Sequence, residues 1–152
     1  MNALIVYASF TGNNEAVAQI LKDALIALGI EVRLEECPMV SPYAFQDYDI
    51  CIIVTYTWGR EGEIPDEFCD FFDELPKIDL KGKVYGILGA GDTLYDDLFC
   101  KAVDDFDHQM ALTGAAKGAD VVKIDAYPQK GDDVAINHFA HSLVNRVKLD
   151  VQ

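Results

Sequence analysis

Apolar residues run without a break from Ala3 to Ala8, and further runs of the same kind cover Ile50–Tyr56 and Val84–Ala90. Runs this continuous are the pattern of strands covered on both faces. Ile30, Val32 and Leu34 instead alternate with Glu31, Arg33 and Glu35, which predicts a strand with one wet face at a sheet edge. Asp120–Ala126 reads as a last, shorter strand. Between these segments the spacing becomes helical. Val17, Ile20, Leu21, Ala24, Leu25 and Leu28 share one face, and Gly29 stops that helix. A short helix is expected around Asp66–Asp73. Phe99, Ala102, Val103, Phe106 and Met110 mark another, and Ile136, Phe139, Ala140, Leu143, Val144 and Val147 mark the closing one. No repeat, low-complexity tract or linker interrupts the order. Alternating strands and helices predict an α/β fold: one doubly wound domain over residues 1–152, with a five-stranded parallel sheet in the order 2-1-3-4-5 and helices on both faces.

Composition narrows the class. The chain has 152 residues, 51% hydrophobic and 25% charged, which suits one globular domain with a real core. No apolar run approaches the ~20 residues of a membrane span. Met1-Asn2 enters an apolar strand with no basic leader region, so a cytoplasmic protein is expected. Cys37, Cys51, Cys69 and Cys100 contain no C-x-x-C pair and are expected to be structural thiols in a reducing compartment. His138 and His141 lie three apart on a helix, but two ligands make a poor metal site, and a solvated face is the better reading.

The net charge is −14, and it is unevenly placed. Residues 61–107 carry fourteen acids and four bases, whereas residues 108–152 carry five of each. That field disfavours nucleic acid and anionic membrane surfaces, and it favours protein partners with basic docking patches.

Candidate chemistry lies after the first, third and fourth strands, at the carboxyl ends where the strand order reverses. The first loop, Ser9-Phe10-Thr11-Gly12-Asn13-Asn14, opens directly into a helix. Its hydroxyls, amides and helix N-terminus suit a small dianion, although the same residues also make an ordinary N-cap. It holds no Lys or Arg, so it is not a nucleoside-triphosphate loop of the G-x-x-x-x-G-K-[ST] kind. The second loop, Thr55-Tyr56-Thr57-Trp58-Gly59, places the only tryptophan at the expected site, where it either stacks on a flat ring or caps the core. The third, Gly89-Ala90-Gly91-Asp92-Thr93-Leu94-Tyr95, has glycines that allow close backbone approach to a ligand, and a second aromatic plane. Gly86 to Gly91 reads G-x-x-G-x-G after the fourth strand, which is not the dinucleotide fingerprint.

Taken together these loops resemble the flavodoxins, of the short-chain type, over essentially the whole chain. Ser9-Phe10-Thr11-Gly12-Asn13 is similar to their phosphate loop. Thr57-Trp58-Gly59 is similar to the loop that covers one flavin face, and Gly89-Ala90-Gly91-Asp92 with Tyr95, continued by Phe99-Cys100, to the loop that covers the other. The switch-point rule counts flavodoxins among its own cases and adds nothing independent. The resemblance implies an FMN-containing, low-potential, one-electron carrier that shuttles between a reductase and acceptor redox enzymes. Its partners would be flavodoxin or ferredoxin reductases and oxidoreductases with basic docking patches, and the carrier itself is expected to be a monomer. It further implies that Ser9, Thr11, Gly12, Asn13, Asn14 and the Phe10 backbone hold the phosphate, and that Thr55 meets the ribityl-phosphate side. Trp58 and Tyr95 would sandwich the ring, and the Gly59, Gly91 and Asp92 backbones would contact its polar edge. Tyr56, Thr57, Gly89, Ala90, Phe99 and Cys100 complete the expected site.

A flavodoxin-like NAD(P)H:quinone reductase is the alternative, but no nicotinamide pocket is evident. A phosphoacceptor receiver domain would need acids after the first strand and an aspartate ending the third, where this chain has Ser9 and Thr55. A chain of this kind that has lost its flavin would be colourless. An acidic patch of Glu61, Glu63, Asp66, Glu67, Asp96 and Asp97 would dock the partners.

Two positions leave the family pattern. Asn14 stands where a threonine is usual, and Arg60 follows Trp-Gly where many relatives carry an acid. A cation at position 60 should ease the addition of the second electron to the flavin. Arg60→Asp should then lower the potential of that step, and an unchanged value in a redox titration would refute the effect.

Overall fold

The computed structural model describes residues 1–9, 12–37, 39–57, 62–91 and 98–151. Along the chain run β1 (Asn2–Tyr7), α1 (Asn13–Ala27), β2 (Glu31–Glu36), β3 (Ile50–Val54), α2 (Asp66–Glu74), β4 (Val84–Gly91), α3 (Lys101–Ala111), β5 (Ala116–Lys117), β6 (Val122–Asp125) and α4 (Asp132–Val151). Short 3-10 turns occupy Pro42–Asp47 and Leu75–Lys77.

Every pairing among these strands is parallel, and the order is β2-β1-β3-β4 with β5 and β6 both on the outer side of β4. The continuous apolar runs do lie inside. Ala3–Val6 of β1 and all of β3 are buried, because helices cover both faces. β2 alternates as its sequence does, with Glu31 and Arg33 exposed and Val32 and Leu34 half-buried at the sheet edge. Gly29, at φ +84°, turns the chain out of α1 in the left-handed region that favours glycine.

One core layer joins Val17, Leu21 and Leu25 of α1 to Phe139 and Leu143 of α4 across Ile5, Ile52 and Leu88. The opposite layer is aromatic. Phe68 and Phe71 of α2, Phe106 of α3 and Phe45 pack on Leu4, Ile53 and Ile87. Phe68 and Phe106 meet edge to face at 4.9 Å, and Phe72 and Phe106 at 5.1 Å, an arrangement that the ring quadrupoles favour.

The fifth strand position refines the sequence reading. Two tandem strands fill it, β5 opposite Val84-Tyr85 and β6 opposite Leu88–Gly91. From Lys117 to Val122 the chain takes five steps while β4 takes three from Tyr85 to Leu88, so two extra residues bulge out between them.

All four thiols are free, with Cys37, Cys51 and Cys100 buried and Cys69 half-buried. Burial pushes the thiols of Cys37, Cys51 and Cys100 up from the usual 9.0, each to about 12. Below pH 9 the folded and unfolded chains both hold these protons, so the thiols do not affect stability there. Between pH 9 and about 12 the unfolded chain releases them first, which disfavours folding. Urea midpoints should therefore hold up to about pH 9 and fall above it, as the unfolding free energy drops by up to about 1.4 kcal/mol per pH unit for each such thiol. A midpoint that stays flat through that range would contradict this account.

Candidate cofactor site

The carboxyl ends of β1, β3 and β4 lie side by side, and the three loops leave the sheet there. After β1, Ser9 Oγ accepts the Gly12 N–H at 2.9 Å, and its own proton remains to donate. Gly12 is the N-cap of α1 at φ +90°, with nothing within 4 Å of where a side chain would begin. Among the described residues no side chain caps this helix, and its first internal bond runs from Ala16 N–H to the Gly12 carbonyl at 3.1 Å. The N–H groups of the first turn thus converge with the Ser9 hydroxyl at the positive end of a 15-residue helix. That donor set fits the phosphate end of a flavin mononucleotide.

Other expected site residues make hydrogen bonds within the protein. Asn14 is 2% exposed, and its Oδ1 accepts the Ala90 N–H at 2.7 Å. Thr55 is wholly buried. Its N–H donates to the Leu88 carbonyl at 3.1 Å and its hydroxyl to the Tyr56 carbonyl at 2.9 Å. Tyr56 donates its phenol to Glu67 Oε1 at 2.7 Å. Burial and then this carboxylate raise the phenol pKa. Thr57 Oγ1 accepts the Ala102 N–H at 2.9 Å and so caps α3 from the neighbouring loop, because Cys100, the N-cap of α3, contributes no side-chain cap of its own. Cys100 and Ala90 are buried, and Phe99 is half-buried against the aromatic layer.

The glycines of the third loop are packed closely against the protein. A Cβ on Gly89 would overlap the Thr55 carbonyl oxygen and lie 2.8 Å from Val103 Cγ2. A Cβ on Gly91 would lie 2.8 Å from Cys100 Sγ. The close approach that these glycines permit is to β3 and to the start of α3. Phe10, Thr11, Trp58, Gly59, Arg60, Asp92 and Tyr95 lie outside the described residues, as do Glu61, Asp96 and Asp97 of the expected acidic patch.

Residues 5–139 match the flavodoxin family model. The chain belongs to the flavodoxins. It is 35% identical over 144 residues to probable flavodoxin 2 of Bacillus subtilis (strain 168), which covers 94% of each chain. The structure of a flavodoxin from Streptococcus pneumonia TIGR4 superposes with a TM-score of 0.93 at 46% identity, covering 97% of this chain and 100% of that one. A short-chain flavodoxin associated with a bacterial microcompartment gives 0.94 at 41% identity, covering 97% and 99%. The short-chain flavodoxin reading therefore holds. Its cofactor is FMN, and its role is electron transfer rather than catalysis on a substrate. Among the described residues no helix is long and apolar enough to cross a membrane, and no group of three or more His, Cys, Asp or Glu could hold a metal ion.

Sequence reasoning missed the partners of Asn14 and Thr57, because each bond joins residues far apart in the chain, 76 and 45 positions respectively. The only signal was the crowding of polar side chains beside helix starts.

Gly89→Ala separates a packing role from a ligand role. Packing predicts a fold weakened by about 3 kcal/mol or more, read as a drop in the urea midpoint of the flavin-free protein. Unchanged stability with lost flavin affinity would restore the ligand role.

Proposed function

We propose that residues 1–152 act as one domain, a low-potential, one-electron shuttle between a reductase and acceptor redox enzymes, working as a monomer in the cytoplasm. The observation that carries this reading is the uncapped N-terminus of α1, with Ser9 and Gly12 at the strand ends. Bound FMN supplies the redox chemistry, and the protein holds and orients it. Ser9, Gly12, Asn13 and the first-turn N–H groups bind the phosphate, together with Phe10 and Thr11. Trp58 and Tyr95 cover the ring faces, and Gly59, Gly91 and Asp92 meet its polar edge, as family resemblance implies. No described side chain is required as a nucleophile or general base.

The acidity of the middle third separates into two surfaces. On α3 each acid has its own cation: Lys123 on Asp104 at 2.7 Å, Lys101 on Asp105 at 2.9 Å and Lys117 on Asp107 at 3.0 Å. On α2 the exposed Asp66, Asp70 and Asp73 recur at i, i+4 and i+7, so they form one stripe, and among the described residues none has an ion-pair partner. Exposed Glu63 lies just before that helix, whereas Glu67, expected in the patch, receives the Tyr56 hydroxyl. The α2 stripe is therefore the docking face for a partner with a basic surface.

The test has two parts. The flavin-free protein should take up FMN and turn yellow, and a protein that stays colourless in excess FMN would refute the carrier reading. Asp66→Lys with Asp70→Lys should then slow electron delivery from a basic reductase about tenfold at low salt, with the difference fading as salt rises. Asp104→Asn with Asp105→Asn should leave the rate nearly unchanged. Equal effects from the two pairs would overturn the assignment to α2.

A further inference from the structure

β3 pairs with β4 as far as Val54 opposite Leu88, and the Leu88 carbonyl accepts the Thr55 N–H. β3 then leaves the sheet. The next donor along that edge of β4 is the Ala90 N–H, two residues on, because a strand turns alternate residues to the same side. With no strand left to receive it, a buried N–H at that point would be unsatisfied. Asn14 Oδ1 receives it instead, from the first turn of α1, at 2.7 Å. One buried carboxamide thus takes the place of the departing strand, and it joins two loops that the sheet alone does not connect.

We propose that Asn14 is a positioning residue: by holding the Ala90 N–H it locks the end of β4, which launches the third loop, to the phosphate end of α1, so that both loops stand ready for one ligand. The inference rests on the flavin reading above. The family resemblance places a threonine where Asn14 stands, and a threonine hydroxyl lies one atom nearer the backbone than the carboxamide oxygen that makes this bridge. The Asn14 carboxamide oxygen faces β4.

Two ligands separate this role from a phosphate contact. Riboflavin carries the ring and ribityl chain of FMN but no phosphate. If Asn14 acts through Ala90, Asn14→Ala loosens the end of β4 and weakens riboflavin and FMN alike, each by about tenfold, read by quenching of flavin fluorescence. If Asn14 serves the phosphate alone, riboflavin affinity stays at the wild-type value and only FMN affinity falls. Asn14→Asp keeps an acceptor oxygen for Ala90 and suits the first turn of a helix. It should restore riboflavin binding to within about twofold of wild type while weakening FMN, since it sets a like charge near the phosphate. Hydrogen exchange in the flavin-free protein gives a readout without ligand. The Ala90 amide should exchange about tenfold faster in Asn14→Ala and at the wild-type rate in Asn14→Asp.

Loss of both affinities in Asn14→Ala, recovery of riboflavin binding in Asn14→Asp and matching exchange rates would establish the role. Selective loss of FMN in Asn14→Ala, or an Ala90 amide that exchanges at the wild-type rate in it, would overturn the role. A wild-type protein that binds neither flavin would refute the carrier reading and this inference together, and is told apart by the wild-type arm alone.

Discussion

Where β3 turns away from β4, the Thr55 carbonyl occupies the space that a side chain at position 89 would fill. Much of the site geometry follows from that contact. Gly89 lets the two strands stay close until the last paired residues, so they part abruptly. The parting leaves the Ala90 N–H without a strand to receive it. Asn14 meets that need from α1. Just beyond the parting point, Thr57 reaches across to Ala102 and Tyr56 to Glu67. The second loop is thus fixed on two sides immediately before Trp58. These bonds settle the approach to the site before any ligand arrives, which reduces the ordering that binding would otherwise require.

The electrostatic design divides in a comparable way. Acids on α3 are matched by lysines from α3, β5 and β6, so that surface presents little net field. Asp66, Asp70 and Asp73 on α2 are left to the solvent. Exposed pairs contribute little to stability, so the lysines of α3 are better understood through the field they remove than through the fold they support. Among the described residues the charge is therefore directional: the α2 side carries unpaired acids, and α3 is comparatively neutral.

Much of this was legible in the sequence. The apolar runs of β1, β3 and β4 have the length and continuity of strands covered on both faces, and the alternation of Val32 and Leu34 with charged residues marks a strand with one wet face. Gly29 marked the end of α1. The loops fell in the right places because strand ends are where such folds have room for ligands. What escaped was the direction in which side chains point. Ser9, Asn14, Thr55 and Thr57 are all small polar residues beside helix or strand ends, and nothing local distinguishes a hydroxyl aimed at a ligand from one aimed at a carbonyl. Only the fold, which brings Asn14 to Ala90 and Thr57 to Ala102, decides. β5 escaped for a different reason: Ala116-Lys117 is too short to show any period, and its place in the sheet comes from β4 alone.

The interruption between β5 and β6 affects how the molecule behaves in a crowd of copies of itself. A sheet edge with free N–H and C=O groups is a template on which another chain can add a strand. On this side the template is cut into pieces of two and four residues by the bulge between them. On the opposite side β2 is longer, but it turns Glu31 and Arg33 outward, and Arg33 holds Glu35 at 2.8 Å. Both rims of the sheet are thus guarded against aggregation, one by fragmentation and the other by charge.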